Sequence, residues 1–177
     1  MKPMPSIAHL HECFDPDYIS GFLFWRKRPQ THFASVGRAE SWNKVYSGRQ
    51  AGGLIGNGYL VTFVQKRSHY VHRILFAMAS GAEPDREIDH VNGIKTDNQM
   101  SNLRLATSAQ NKANIASGHT GLRGTKAHQG RWVAQMSIDG KNHYIGIFDT
   151  QEQAHAAYCQ TVTQIRGEFA LTTHTRI

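Results

Sequence analysis

Between residues 14 and 72 the apolar and aromatic residues fall in short runs cut by turn formers, a pattern that predicts strands. The runs at 21–25 and 58–64 are the clearest, with a glycine-rich bend between them. From Tyr70 the spacing changes. Val71, Ile74, Leu75 and Met78 recur at helical intervals over 70–80, and Gly81 is a natural stop. A loop over 82–86 containing Pro84 leads into the most unusual stretch of the chain. There Ile88 and Val91 flank Asp89-His90, Asn92-Gly93 makes a strong turn, Asp97-Asn98 makes a second polar turn, and 103–105 reads as a short strand. Thr107 caps the helix that follows, Gln110 completes a capping box, and Asn111, Asn114 and Ile115 share one face.

The polar, glycine-containing segment 117–121 reads as a hinge between domains. Beyond it come three strand-like runs at 122–126, 131–138 and 142–148, with turns at 128–130 and 139–140. Thr150 and Gln153 form a second capping box. The helix they start has Ala154, Ala157, Tyr158, Thr161 and Ile165 as its expected buried stripe and ends at Gly167. The whole predicts an α+β protein: a β-rich N-terminal extension over 1–68, a central core over 69–116, and over 117–177 a three-stranded antiparallel sheet packed on one helix.

Composition narrows the class. The 177 residues include 20 Lys+Arg against 13 Asp+Glu, a net charge of +7, and 40 % hydrophobic residues, enough for a real core. The excess of positive charge points to a polyanionic partner, which basic side chains bind by releasing counterions. The longest apolar stretch, 74–79, is far too short to span a bilayer. Prolines and histidines stand near the N-terminus where a secretory signal has an apolar run, so the expected location is the reducing cytoplasm, that of the host cell if the gene is a phage's. Cys13 and Cys159 are the only cysteines. They form no CxxC pair, which excludes a disulfide framework and a four-cysteine zinc site. A zinc-stabilised module built on the 11 histidines is weighed down by the same shortage and by the lack of an H-x₃₋₅-H pair beside a cysteine.

Strand, turn, strand and helix over 88–116 would gather Asp89, His90, Asn102 and Asn111 into one polar cluster. Asp89 and the amide oxygen of Asn111 are hard oxygen donors, suited to hydrated Mg²⁺ or Mn²⁺ beside a phosphate rather than to zinc. His90, with an ordinary pKa of about 6.5, suits the removal of a proton from an attacking water. Asn102 can orient that ring through a hydrogen bond or fix the loop that carries it. Together these describe one-metal hydrolysis of a phosphodiester.

The stretch from Asp89 to Asn114 resembles the HNH nucleases, in particular the phage and intron-borne homing endonucleases, whose pattern reads D-H-x-N-G-x-x-x-D-N-x-x-x-N-L-R followed by a capped helix carrying N-x-x-N. The resemblance implies a ββα-metal core, with Asp89 and Asn111 as metal ligands, His90 as general base and Asn102 as the middle asparagine. Asn114, one turn on, is the rival of Asn111. His72-Arg73 matches the family's upstream His-Arg, with His72 read as structural or as touching the site.

The last third resembles the AP2 DNA-binding domain through Gly121-Leu122-Arg123-Gly124, Gly130-Arg131-Trp132-Val133-Ala134, Tyr144-Ile145-Gly146-Ile147-Phe148-Asp149-Thr150 and the helix over 152–158. In that family the sheet lies in the DNA major groove. Only B-form DNA opens that groove widely enough for a sheet, so duplex DNA is the implied partner. Alternation sends Arg131, Val133, Gln135 and Ser137 one way and Trp132, Ala134, Met136 and Ile138 toward the helix. The implied contacts are Arg123, Lys126, Arg131, Gln135, Ser137, Asn142 and Tyr144. Several positions that hold arginine in plant members are Gln, Ser or Asn here, so no sequence preference carries over.

The sequence is therefore read as a modular HNH endonuclease needing Mg²⁺ or Mn²⁺, directed to duplex DNA by an AP2-like domain, of homing type, and acting as a monomer. The competing reading is a sequence-specific DNA-binding regulator with an inactive nuclease remnant, which the intact Asp89, His90, Asn102 and Asn111 oppose.

Overall fold

A computed structural model describes residues 3–114, 122–138 and 140–170. The chain packs as two compact units, Met1–Leu105 and Ala106–Ile177. The division falls ahead of the helix that the sequence groups with the central core, and the expected hinge at 117–121 lies outside the described residues. Among the described residues no helix is long and apolar enough to cross a membrane.

In the first unit, helix α1 (Ile7–Cys13) starts at Ser6, whose side chain accepts from the His9 N–H. Strands β1 (Phe14–Asp17), β2 (Phe22–Trp25) and β3 (Gln50–Ala51) form an antiparallel sheet in that order. Helix α2 (Val36–Tyr46) interrupts the stretch read as bend and strand. It has almost no apolar stripe for a sequence pattern to show: only Ala39 is buried, while Trp42 covers Trp25 edge-on at 5.0 Å. The short α1 is alike in this, burying only Leu10 and Cys13. A second antiparallel sheet joins β4 (Gly53–Leu54), β5 (Leu60–Val64) and β6 (Arg67–Tyr70). The β5–β6 hairpin turns through Gln65 and Lys66, both left-handed at φ 50° and 63°, as the tightest hairpins require.

The hub of the unit is α3 (Val71–Ser80), the helix expected from periodicity, ended by left-handed Gly81. Its Val71, Ile74, Leu75 and Met78 share a core with Leu10, Cys13, Phe14, Leu23, Ala51 and Val64. Thus a short helix and both sheets pack around one buried helix, which also carries His72 and Arg73 inside. Strands β7 (Glu87–His90) and β8 (Leu103–Ala106) pair in a two-stranded sheet.

The second unit opens with α4 (Ser108–Asn114). Its predicted capping box is present: Thr107 Oγ1 accepts from Gln110 N–H at 3.2 Å, and Gln110 Oε1 accepts from Thr107 N–H at 2.8 Å. Strands β9 (Thr125–His128), β10 (Arg131–Ile138) and β11 (Lys141–Phe148) form an antiparallel sheet with β10 central. Helix α5 (Gln151–Arg166) packs on it behind the Thr150–Gln153 capping box. Ala134 and Met136 meet Ala154, Tyr158 and Val162 in its core. Val162 is buried with Ala154 and Tyr158 at four-residue spacing, whereas Ile165, expected in the stripe, stands in the last turn of α5 and is 54 % exposed.

Candidate active site

Strand β7 delivers Asp89 and His90, both 4 % exposed, into the interior of the first unit. The approach to β7 is fixed from α3, where buried Arg73 donates to the carbonyls of Pro84 at 3.0 Å and Arg86 at 3.1 Å. Past His90 the chain turns sharply at left-handed Gly93, whose N–H donates to His90 O at 2.9 Å. A second turn, from Asp97 N–H to Ile94 O at 3.0 Å, returns the chain toward β8.

Asn102 fixes this loop. Its Nδ2 donates to Asn92 Oδ1 at 3.0 Å and to Asp97 O at 2.7 Å, while its Oδ1 accepts from Asn92 N–H at 3.0 Å. Of the two roles the sequence left open, these contacts are those of a loop clamp. The ring is oriented instead by Asn98, 1 % exposed, whose Oδ1 accepts a hydrogen bond from the Nε2–H of His90 at 2.9 Å. That bond makes Nδ1 the basic nitrogen of a neutral His90.

Burial pushes the His90 pKa below its ordinary value, against the opposing pull of Asn98, Asp89 and Asp97. The imidazole is therefore neutral at physiological pH, the form a general base needs. His72 lies edge-on to His90, ring centroids 5.1 Å apart, and so touches the candidate site. Its pKa is pushed down to about 3, first by burial and then by His90 and Arg73. Tyr59 packs on both imidazoles at 5.4 and 6.0 Å, and Lys95 Nζ stands 4.8 Å over the Tyr59 ring.

Asp89 is paired with Arg104 across the β7–β8 sheet. Arg104 Nε and Nη2 both donate to Asp89 Oδ2, at 2.9 and 2.7 Å, and the side chains of Arg104 and Asp89 are 12 % and 5 % exposed. The sequence shows both residues but not their pairing, which joins positions 15 apart. The Asp89 carboxylate is itself a hard oxygen donor, the type a hydrated divalent ion takes, and its Oδ2 is held by the Arg104 guanidinium. The fold brings Asp89, His90 and Asn102 together. Asn111 stands partly buried on α4, in the second unit, and the side chain of Asn114 lies outside the described residues.

In the second unit the strand register gathers the polar face expected from alternation. Val133 pairs with Lys126, Arg131 with His128, Gln135 with Tyr144, and Ser137 with Asn142, so all project from the face opposite α5. Tyr144 is 67 % exposed there. Arg131 holds Asp149 at 2.9 Å at the rim of the sheet. Arg123 precedes the sheet, and its Nε donates to the Tyr158 hydroxyl on α5 at 3.1 Å, which gives it a packing role.

Residues 69–113 match the HNH endonuclease family. The chain is also 33 % identical over 118 residues to an uncharacterized HNH endonuclease of Acanthamoeba polyphaga mimivirus, an alignment covering 64 % of this chain and 62 % of that protein. The matched segment runs from the end of β6 through α3 and the Asp89–His90 loop into α4, so this chain carries an HNH endonuclease domain there.

Proposed function

We propose that the protein is a metal-dependent endonuclease that hydrolyses phosphodiester bonds in duplex DNA, at places selected by its C-terminal sheet. The observation that carries this reading is the buried Asp89–His90 pair with its ring-orienting Asn98 and loop-clamping Asn102, inside the segment matched to HNH endonucleases. His90 Nδ1 takes the proton of the attacking water while Asn98 holds the opposite ring nitrogen. Arg104 holds the Asp89 carboxylate in one orientation. Asp89, with Asn111 or its neighbour Asn114, would hold Mg²⁺ or Mn²⁺, and that ion when bound neutralises charge on the phosphate and the departing 3′ oxygen.

The second unit supplies the grip. Its outward face, carrying Lys126, Arg131, Gln135, Ser137, Asn142 and Tyr144, enters the major groove in the manner of the AP2 domains it resembles. Arg123 supports that face from behind through Tyr158. One copy presents one His90 to one phosphate, so the first product is a nicked strand and a monomer suffices to make it. The resemblance to homing endonucleases suggests a long asymmetric site, and an intronless copy of the surrounding gene is the natural substrate.

A cleavage selection tests this. The full chain is incubated with a randomised duplex library and Mg²⁺ or Mn²⁺, and the new ends are sequenced. Enriched cut sites that vanish on chelation are expected, whereas intact duplex with either metal contradicts the proposal.

A further inference from the structure

Away from Asp89 and His90, the end of α1 meets the short 3₁₀ turn Gln30–His32 in a cluster of metal-ligating side chains. His9, Cys13 and His32 each offer one ligand atom, and these atoms all lie within 4.8 Å of one another. The helix makes this possible. His9 and Cys13 are four residues apart and so share one face of α1 as a His-x₃-Cys pair.

We infer that His9, Cys13 and His32 form a zinc-binding site that staples the N-terminal helix to the 3₁₀ turn. The donor set is one thiolate and two imidazoles, the preference of Zn²⁺ and unlike the hard carboxylate of Asp89. Spacing agrees with this. Zn–S near 2.3 Å and Zn–N near 2.1 Å at a tetrahedral angle put sulfur and nitrogen about 3.6 Å apart, and Cys13 Sγ lies 3.8 Å from His32 Nδ1.

The surroundings add the outer support that zinc imidazoles normally have. His32 Nε2 donates to Glu12 Oε2 at 2.6 Å, which turns Nδ1 into the lone-pair nitrogen facing Cys13. His9 Nδ1 lies 3.8 Å from the same carboxylate oxygen, and its Nε2 is buried without a hydrogen-bond partner. Coordination would provide that partner. The competing group is Arg28, whose Nε donates to His32 Nδ1 at 3.2 Å and must yield to the metal. It has somewhere to go, since its guanidinium already lies over the rings of Trp42, Phe33 and Trp25 at 4.9, 5.0 and 5.7 Å. Metal binding would expel the Cys13 thiol proton to solvent, and water would complete the fourth position.

Cobalt serves as the probe because its absorption reports the ligands. The untagged full chain, stripped with chelator, is titrated with Co²⁺ and then with Zn²⁺. The expected result is a thiolate-to-cobalt charge-transfer band in the near ultraviolet, saturating at one equivalent and abolished by Zn²⁺. The band should persist in Cys159→Ser and Asp89→Asn, vanish in Cys13→Ser, and need at least tenfold more Co²⁺ in His32→Gln. No band in the natural protein, or a band lost with Cys159→Ser, would overturn the assignment. Both of those readings leave Cys13 in place, so they decide the matter even if its substitution unfolds the chain.

Discussion

Asn98 Oδ1 accepts a hydrogen bond from the Nε2–H of His90 at 2.9 Å, and neither residue is more than 4 % exposed. This bond decides which nitrogen of the imidazole is basic, and Asn98 is therefore a positioning residue for the proposed proton transfer. Asn98→Ala is expected to lower kcat by about 10- to 100-fold with little change in KM. Because the bond favours the charged ring, Asn98→Asp should move the acidic limb of the pH–rate profile, where the base becomes protonated, to higher pH and Asn98→Ala to lower pH. A purely structural asparagine would lower the amount of active enzyme without moving the profile.

Gly21 reaches the same residue from the other side of the unit. It sits after β1 with φ +75°, and a Cβ built on it would overlap the backbone of Asn98 and Gln99. Tyr18, in the same turn, accepts from Met100 N–H at 3.1 Å. The N-terminal sheet thus buttresses the loop that holds His90. Gly21→Ala is expected to depress cleavage as Asn98→Ala does while leaving affinity for duplex DNA within a few-fold. Equal rates for Gly21→Ala and the natural protein would show that the buttress is irrelevant to the site.

Arg104 and Asp89 are an inner ion pair, so removing one partner leaves a buried charge uncompensated. Arg104→Met is expected to destabilise the fold by about 3–5 kcal/mol in urea denaturation. Adding Asp89→Asn removes the orphaned charge and should recover much of that loss. Additive losses in the double variant would contradict the pairing.

The depressed pKa of His72 has a definite sign in the stability of the protein. Below its ordinary value of about 6.5 the unfolded chain takes up a proton that the folded chain refuses. The stability linked to this ring is complete above pH 6.5 and is lost as pH falls toward its folded value of about 3. His90, shifted the same way, adds to the slope. The whole window from 6.5 to 3 corresponds to roughly 4–5 kcal/mol for His72. His72→Phe should therefore flatten the melting temperature between pH 6.5 and 4 relative to the natural protein, and identical slopes would refute the assignment.

Much of the fold was written in short-range pattern. Helix α3, the 103–105 strand, both capping boxes and the alternating faces of β10 follow from residues within one or two turns of one another. What stayed hidden had no such local period. Helices α1 and α2 bury too little to leave a stripe. Asn98 and Asn102 are both polar loop residues, and which one meets the imidazole depends on how two successive turns fold back. Arg104 looks like any basic strand residue until the pairing of β7 with β8 sets it against Asp89. The chemistry-bearing Asp89 and His90 were legible because residue type and spacing carried them, whereas their supporting partners are set by tertiary structure.

The measurement closest to the centre of this account compares His90→Ala with the natural protein on one cleaved duplex, under single-turnover conditions and with binding measured on the same preparations. A general base acts on the transition state, so its removal should reduce the cleavage rate by about 10²–10⁴-fold while DNA affinity stays within a few-fold. Cleavage by His90→Ala at the natural rate would contradict the account.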